Sequence, residues 1–169
     1  MKISGSYATH LGSLIACMNK TDGDVLEMGM GLFSTPYLHY QCTVSKRKLL
    51  SLDSSKGWAR KFINSDFSHY LYRNEYHQLE YVKDWDQAPV DKPWDVVLID
   101  HDPSERRKED VKRLANLAKY IIIHDSNERH EHVYHYSEIY PLFKYKRVWD
   151  KDDRFATVLS NFVELDNLW

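Results

Sequence analysis

The chain has 169 residues, of which 43% are hydrophobic and 28% charged, as in an ordinary globular protein of a single domain. Its 23 basic and 25 acidic residues give a net charge of -2, which disfavours nucleic acid as a partner. Short apolar runs exclude a membrane span, and two cysteines are too few for a disulfide scaffold, so we expect a cytoplasmic protein without a membrane partner.

Five short apolar runs predict buried strands, because they are rich in β-branched residues or leucine and end at polar residues. In chain order these strands are 25–28, 48–52, 78–82, 96–99 and 120–123. The segments between them predict helices at 6–18, 36–44 (capped by Thr35), 56–63, 102–117 (capped by Asp102) and 132–142.

The end of the chain predicts a hairpin. Segments 143–149 and 155–160 are strand-like, and the stretch between them is too short for a crossover helix. Strands that alternate with helices form a parallel sheet with right-handed crossovers. The predicted fold class is therefore α/β, a doubly wound and mostly parallel sheet that closes with an antiparallel hairpin.

Two glycines follow the first predicted strand, in Glu27-Met28-Gly29-Met30-Gly31. Glycines permit a tight turn and let a ligand approach the backbone, and the next helix offers N–H groups to an anion. This pattern alone is also typical of a structural turn. Asp53, however, ends the next strand, where a carboxylate can bind both ribose hydroxyls of a nucleoside. The combination favours a nucleoside-cofactor site.

In its ordered motifs the sequence resembles the class I S-adenosylmethionine-dependent methyltransferases. Segment 25–31 is similar to their first motif, 50–53 to the second, 94–100 to the fourth and 120–125 to the fifth strand. The resemblance covers roughly residues 20–160. It implies one Rossmann-like domain over 1–169, with a helical segment at 1–23, a core at 24–160 and a tail at 161–169, and S-adenosyl-L-methionine as cofactor.

The resemblance also implies which residues bind the cofactor. Three groups of residues contact its methionine portion, its ribose and its adenine. In that order they are Glu27, Gly29, Gly31, Ser34 and Thr35; Asp53 and Ser54; and Asp84, Trp85 and His101. Asp100, after the fourth strand, is also expected to bind the cofactor. For Trp85 and His101 simple packing is the alternative.

A nicotinamide-dependent oxidoreductase is a rival interpretation, since a glycine-rich turn also cradles a pyrophosphate. Here Ser34 takes the place of the third glycine, and Glu27 would repel a pyrophosphate. The same carboxylate attracts the amino-acid portion of a sulfonium cofactor. Glu27 and the terminal hairpin therefore favour the methyltransferase.

Two carboxylates, Asp100 and Asp125, follow neighbouring predicted strands about 4.8 Å apart. A proton, a cationic group or a metal must offset their repulsion. The pattern resembles divalent-cation-dependent O-methyltransferases, which implies Mg²⁺ or another divalent cation on Asp100, Asp125 and Asn127; capping or cofactor contact is the alternative. No lysine follows Asp100 to serve as base, so Asp100, His101 and His124 are the candidate catalytic residues.

The acceptor of the methyl group is expected to be a small molecule, because no insertion after the fifth strand is long enough for a recognition domain. Residues around Tyr7, Thr9 and His10 and the segments 101–107 and 126–136 would contact it. A second subunit can complete such a compact site, so a homo-oligomer is possible. A non-catalytic binding or assembly module with the same fold is a further alternative.

Overall fold

The computed structural model describes residues 5–63, 74–151 and 153–169, and these build one mixed sheet of seven strands. The strands are β1 (Val25–Met28), β2 (Leu49–Asp53), β3 (His77–Tyr81), β4 (Trp94–Ile99), β5 (Ala118–Ile123), β6 (Tyr145–Trp149) and β7 (Ala156–Ser160). Their order across the sheet is β3-β2-β1-β4-β5-β7-β6. The first five run parallel, and β7 is antiparallel to both β5 and β6. The predicted fold class, with its terminal hairpin, is confirmed.

Helices cover both faces of the sheet. They are α1 (Leu11–Met18), α2 (Ser34–Ser45), α3 (Lys56–Ile63), α4 (Arg107–Leu114) and α5 (Glu131–Tyr134). Because side chains alternate along a strand, β4 places Leu98 against α1 and α2 and Ile99 against α4. Among the described residues, no helix combines the length and the apolar character that crossing a membrane requires.

Two predicted helices have different bounds near the ends of β4 and β5. The helix predicted at 102–117 is a 3₁₀ turn at Ser104–Arg106 followed by α4, and Asp102 does not cap it; Asp102 accepts the Ser104 hydroxyl instead. The helix predicted at 132–142 ends early, since His135 takes a left-handed conformation with φ 51° after α5. Two 3₁₀ turns follow it, Tyr136–Glu138 and Tyr140–Leu142.

The first two predicted helices are wrong in their starts. The helix predicted at 6–18 is a 3₁₀ turn at Gly5–Ala8 followed by α1, and Thr9 between them turns its hydroxyl to His124 at 2.7 Å. Thr35 lies inside α2 and is not its cap, because its hydroxyl bonds Glu27. Strands β2 and β3 begin and end one residue from their predicted bounds, and β4 and β5 begin two residues earlier than predicted.

Candidate active site

A cavity of about 570 Å³ opens at the carboxyl ends of the parallel strands, the edge at which open α/β sheets bind ligands. Its wall is formed by residues 30–32 after β1, by the end of β2, by segment 100–104 after β4 and by His124 and Asp125 after β5. Tyr7, Arg107 and Arg154 line it from other parts of the chain.

The loop after β1, residues 29–33, is called the glycine loop below. Gly29 has φ 98°, and a Cβ there would lie 2.5 Å from the backbone carbonyl of Asp100. Only glycine therefore lets the ends of β1 and β4 approach this closely. The loop is tied to β2 as well, since the Met30 amide donates to Asp53 Oδ2 at 3.0 Å.

Asp53 presents a buried carboxylate to the cavity from the last position of β2. Its Oδ1 accepts the Ser55 amide at 2.7 Å, and its Oδ2 accepts the Met30 amide. Burial raises the pKa of Asp53, and nearby Asp102 raises it further, while the two backbone hydrogen bonds lower it. Each oxygen accepts one backbone N–H, which leaves one lone pair on each for a ligand.

Glu27 lies fully buried beneath the glycine loop. The Thr35 hydroxyl donates to both Glu27 oxygens at 2.9 Å and accepts the Gly31 amide at 2.9 Å. Burial raises the pKa of Glu27 to about 7, against hydrogen bonds from Ser34, Ser51 and Thr35. Glu27 therefore sets the position of the loop through Thr35.

Asp100 and Asp125 face two guanidinium groups at the other end of the cavity. Arg107 Nη1 lies 3.0 Å from Asp100 Oδ1 and 3.9 Å from Asp125 Oδ2, and Arg154 donates to Asp125 Oδ1 at 2.7 Å. Burial alone would raise the pKa of both carboxyls, but His124 and Arg107 outweigh it at Asp100, and His124 and Arg154 outweigh it at Asp125, so both pKa values are lowered. Both groups are therefore ionised and weak bases at neutral pH.

His124 sits between Asp100 and the turn before α1. Its Nδ1 lies 3.1 Å from Asp100 Oδ2, and its Nε2 lies 2.7 Å from Thr9 Oγ1. His10 packs edge-on against it, with ring centroids 4.9 Å apart. This places an imidazole oriented by a carboxylate on the cavity wall, the arrangement that general-base catalysis requires.

The charge of the cavity is uneven. Among the described lining residues, four carboxylates face two guanidinium groups, and both guanidinium groups lie at the Asp100–Asp125 end. The end with the glycine loop holds Asp53 and Asp102. That end attracts cationic ligands and repels phosphate groups.

No protein-family model matches the sequence, and no curated protein matches it. The fold is similar to solved structures. The O-methyltransferase of Bacillus cereus in complex with SAH is 15% identical over 94% of this chain and 82% of that one, with a TM-score of 0.66. The O-methyltransferase TomG of Streptomyces achromogenes in complex with SAM is 14% identical over 94% of this chain and 81% of that one, with a TM-score of 0.60. Cofactor-bound Rv0187 from MTB is 16% identical over 96% and 83%, with a TM-score of 0.68.

The chain has the class I methyltransferase fold. The sheet order, the parallel strands and the antiparallel hairpin are those of its structural neighbours' fold, and the family resemblance read from residues 25–125 agrees with it.

The methyltransferase fold brings some of the predicted cofactor residues to the cavity. Gly31, Asp53, Asp100 and His101 line it. The remaining predicted residues lie behind its wall or outside it: Glu27, Gly29, Ser34, Thr35, Ser54, Asp84 and Trp85.

Three of the predicted cofactor residues that do not line the cavity, Trp85, Asp84 and Ser54, make contacts within the protein. Trp85 is buried behind the wall, where its ring stacks on His101 at 4.2 Å and its indole N–H donates to the Asp102 carbonyl at 2.9 Å. The exposed Asp84 caps the next turn by accepting the Asp86 amide. Ser54 donates to the same Asp102 carbonyl at 2.7 Å. Trp85 and Ser54 therefore brace the segment after β4.

Of the residues predicted to hold a divalent cation, Asp100 and Asp125 come together at the cavity, whereas Asn127 lies elsewhere. Arg107 lies against both Asp100 and Asp125, so a guanidinium group offsets their repulsion. Asn127 points to the β6–β7 connection, where it accepts the Phe155 amide and donates to the Asp153 carbonyl. The set Asp100, Asp125 and Asn127 therefore does not fit a metal ion.

Arg107 and Arg154 are site residues that the sequence did not single out. Arg107 belongs to a run of charged residues that reads as a solvated helix surface, yet it is buried and donates to the His101 carbonyl at 2.6 Å. Arg154 reaches Asp125 from the β6–β7 connection. The only signal in the sequence is the need for a cation beside two neighbouring carboxylates.

Proposed function

We propose that the protein is an S-adenosyl-L-methionine-dependent methyltransferase that acts on an oxygen of a small acceptor. The observation that carries the proposal is one cavity with two chemically different ends. Asp53 and the glycine loop form one end, and the Asp100–His124 pair forms the other. One end suits a nucleoside, and the other suits a group that must lose a proton.

Asp53 and the negative charge around it suit the cofactor end to a nucleoside with a cationic group. The two lone pairs left on the Asp53 carboxylate suit the two hydroxyls of a ribose. Gly31 and the backbone of the loop lie beside it on the wall. The acidic character of this end favours a cationic sulfonium cofactor over a nicotinamide dinucleotide, whose pyrophosphate Asp53 and Asp102 would repel.

The tautomer of His124 makes the acceptor end suitable for a hydroxyl group. Asp100 accepts a hydrogen bond, so it selects the tautomer in which Nδ1 carries the proton and Nε2 is the basic atom. In this tautomer the Thr9 hydroxyl donates to Nε2. An acceptor hydroxyl that replaces Thr9 there would give its proton to His124.

The reaction then divides between cofactor and chain. When bound, the cofactor supplies a methyl group already activated on a sulfonium. His124 Nε2 would take the proton of the acceptor hydroxyl and so prepare its oxygen to receive that methyl group. Asp100 stabilises the imidazolium that forms, while Arg107 keeps Asp100 ionised.

Two observations support a small oxygen acceptor. A volume of about 570 Å³ lies within the range of small-molecule sites and must hold cofactor and acceptor together. Two of the structural neighbours are named O-methyltransferases.

The experiment is a turnover assay on chelator-treated protein with a panel of small alcohols, phenols and carboxylic acids, measuring S-adenosylhomocysteine formed. We expect turnover with at least one hydroxylated acceptor and a loss of about 10²- to 10⁴-fold in His124→Ala. His132 is exposed and does not line the cavity, so His132→Ala is the matched control and should keep full activity. Cofactor binding without turnover on any acceptor would favour the non-catalytic module, and equal activity in both variants would contradict His124 as base.

A further inference from the structure

A cluster of two histidines and one carboxylate lies at the floor of the cavity, and its geometry is that of a metal site. Within the described residues, His10, Asp100 and His124 each present one ligand atom, and these atoms lie within 4.8 Å of one another. His124 Nδ1 is 3.1 Å and His10 Nδ1 is 4.0 Å from the same oxygen, Asp100 Oδ2. Of the three residues, Asp100 and His124 line the cavity.

His10 supplies an independent observation. It is 2% exposed, and neither of its ring nitrogens has a hydrogen-bond partner in the part of the chain that the structure describes. A buried polar group without a partner is rare in folded proteins and calls for an explanation such as an unseen ion. A neutral imidazole has one ring nitrogen whose lone pair can bind a metal ion.

We propose that His10, Asp100 and His124 bind one transition-metal ion, with Zn²⁺, Co²⁺ and Fe²⁺ as the class. Two imidazoles and one carboxylate suit these ions, whereas Mg²⁺ and Ca²⁺ prefer oxygen ligands. Three protein ligands leave a position open, as in catalytic rather than structural sites.

Two of the three distances between ligand atoms fit this assignment with little movement, and the third, between His10 and His124, is within 4.8 Å. Ligand atoms about 2.0–2.2 Å from a tetrahedral ion lie roughly 3.3 Å apart. The His124–Asp100 pair already has this spacing at 3.1 Å, and His10 at 4.0 Å must approach by less than about 1 Å. This is a different set from Asp100, Asp125 and Asn127.

The neighbours of the cluster are arranged to support the ligands. Arg107 bonds Asp100 through Oδ1 at 3.0 Å and so leaves Oδ2 to face the histidines. Thr9 Oγ1 lies 2.7 Å from His124 Nε2 and can accept a hydrogen bond from the Nε2–H group when Nδ1 holds the ion. The positive charge of Arg107 weakens cation binding, and the carboxylate of Asp125, 3.9 Å from His124 Nε2, opposes that effect.

Metal binding and the general-base role use opposite tautomers of His124, so the two states exclude each other. The metal site does not depend on methyl transfer. Binding can therefore be measured on the protein without cofactor or acceptor.

The test is a titration of chelator-treated protein with Co²⁺, followed by its visible d–d absorption and by calorimetry. We expect one ion per chain, no displacement by a large excess of Mg²⁺, and an affinity loss of more than about 100-fold in His10→Phe. His132→Phe makes the same change at an exposed histidine outside the cluster and should bind Co²⁺ like the wild type. Asp100→Asn, with the same side-chain shape, should also weaken binding and serves as the second variant if His10→Phe does not fold.

Two results would overturn the proposal: no saturable Co²⁺ binding below about 1 mM, or equal binding by wild type, His10→Phe and Asp100→Asn. A parallel titration with S-adenosylhomocysteine keeps the two proposals distinguishable. Binding of Co²⁺ without binding of S-adenosylhomocysteine would refute the cofactor assignment and leave the metal site standing. Binding of S-adenosylhomocysteine without binding of Co²⁺ would refute only the metal site.

Discussion

Replacement of Asp53 by asparagine probes the cofactor end of the cavity. Asp53→Asn keeps the shape of the side chain but removes its charge and turns one of its two oxygens into an NH₂ group. Because each oxygen already accepts a backbone N–H, from Ser55 at 2.7 Å and Met30 at 3.0 Å, the amide oxygen can satisfy only one of them. At least one ribose hydrogen bond to a charged acceptor is then lost.

The magnitude follows from the energy of that bond. A hydrogen bond to a charged group contributes about 1.5–3 kcal/mol, so the dissociation constant of S-adenosylhomocysteine should rise about 10- to 150-fold. Calorimetric titration at pH 7.5 measures it, and thermal unfolding confirms that the variant is folded. Asp166→Asn makes the same change at an exposed carboxylate outside the cavity and should leave the constant unchanged. Unchanged binding in Asp53→Asn, or equal loss in both variants, would refute the ribose assignment.

Three further predictions concern stability. Burial raises the pKa of Glu27 from 4.5 to about 7, so the folded state holds this proton more tightly than the unfolded chain does. The free energy of unfolding of the wild type, relative to that of Glu27→Gln, should therefore fall by roughly 3 kcal/mol between about pH 4.5 and 7 and then level off. Urea titrations that show no such fall would contradict this prediction. Arg107→Met removes the guanidinium partner of the Asp100 carboxylate, which keeps its histidine neighbours, and should cost about 3–5 kcal/mol in urea unfolding at pH 7. A cost below about 1 kcal/mol would show that the Arg107–Asp100 pair is dispensable. Gly29→Ala forces a Cβ to 2.5 Å from a backbone carbonyl and should lower the melting temperature. Gly57 lies in a helix where an added Cβ would meet no atom within 4 Å, so Gly57→Ala should raise the free energy of unfolding by about 0.5–1 kcal/mol. The opposite ranking of the two variants would refute the packing argument.

The sheet could be predicted because its signals are local. Strands buried on both faces are short apolar runs, and β1 and α3 have the predicted bounds. Helices near the cavity could not be predicted in detail, because tertiary contacts decide where they begin and end. Thr9 leaves the first helix for a contact with His124, and Arg107 begins α4 while its side chain bonds the His101 carbonyl.

The site divides in the same way. Asp53 and Asp100 could be predicted because their position at strand ends follows from the order of elements along the chain, and both reach the cavity. The partners of Asp100 could not, since His10 lies far from it in sequence and Arg107, at the start of the next helix, resembles an ordinary surface helix residue. Only the folded chain shows that a guanidinium group occupies the place expected for a metal between the carboxylates.

Calorimetric titration of the wild-type protein with S-adenosylhomocysteine and, separately, with NAD tests the central claim most directly. The acidic end of the cavity and the lone pairs of Asp53 predict one S-adenosylhomocysteine per chain and no binding of the dinucleotide. Saturable binding of NAD without binding of S-adenosylhomocysteine would contradict it.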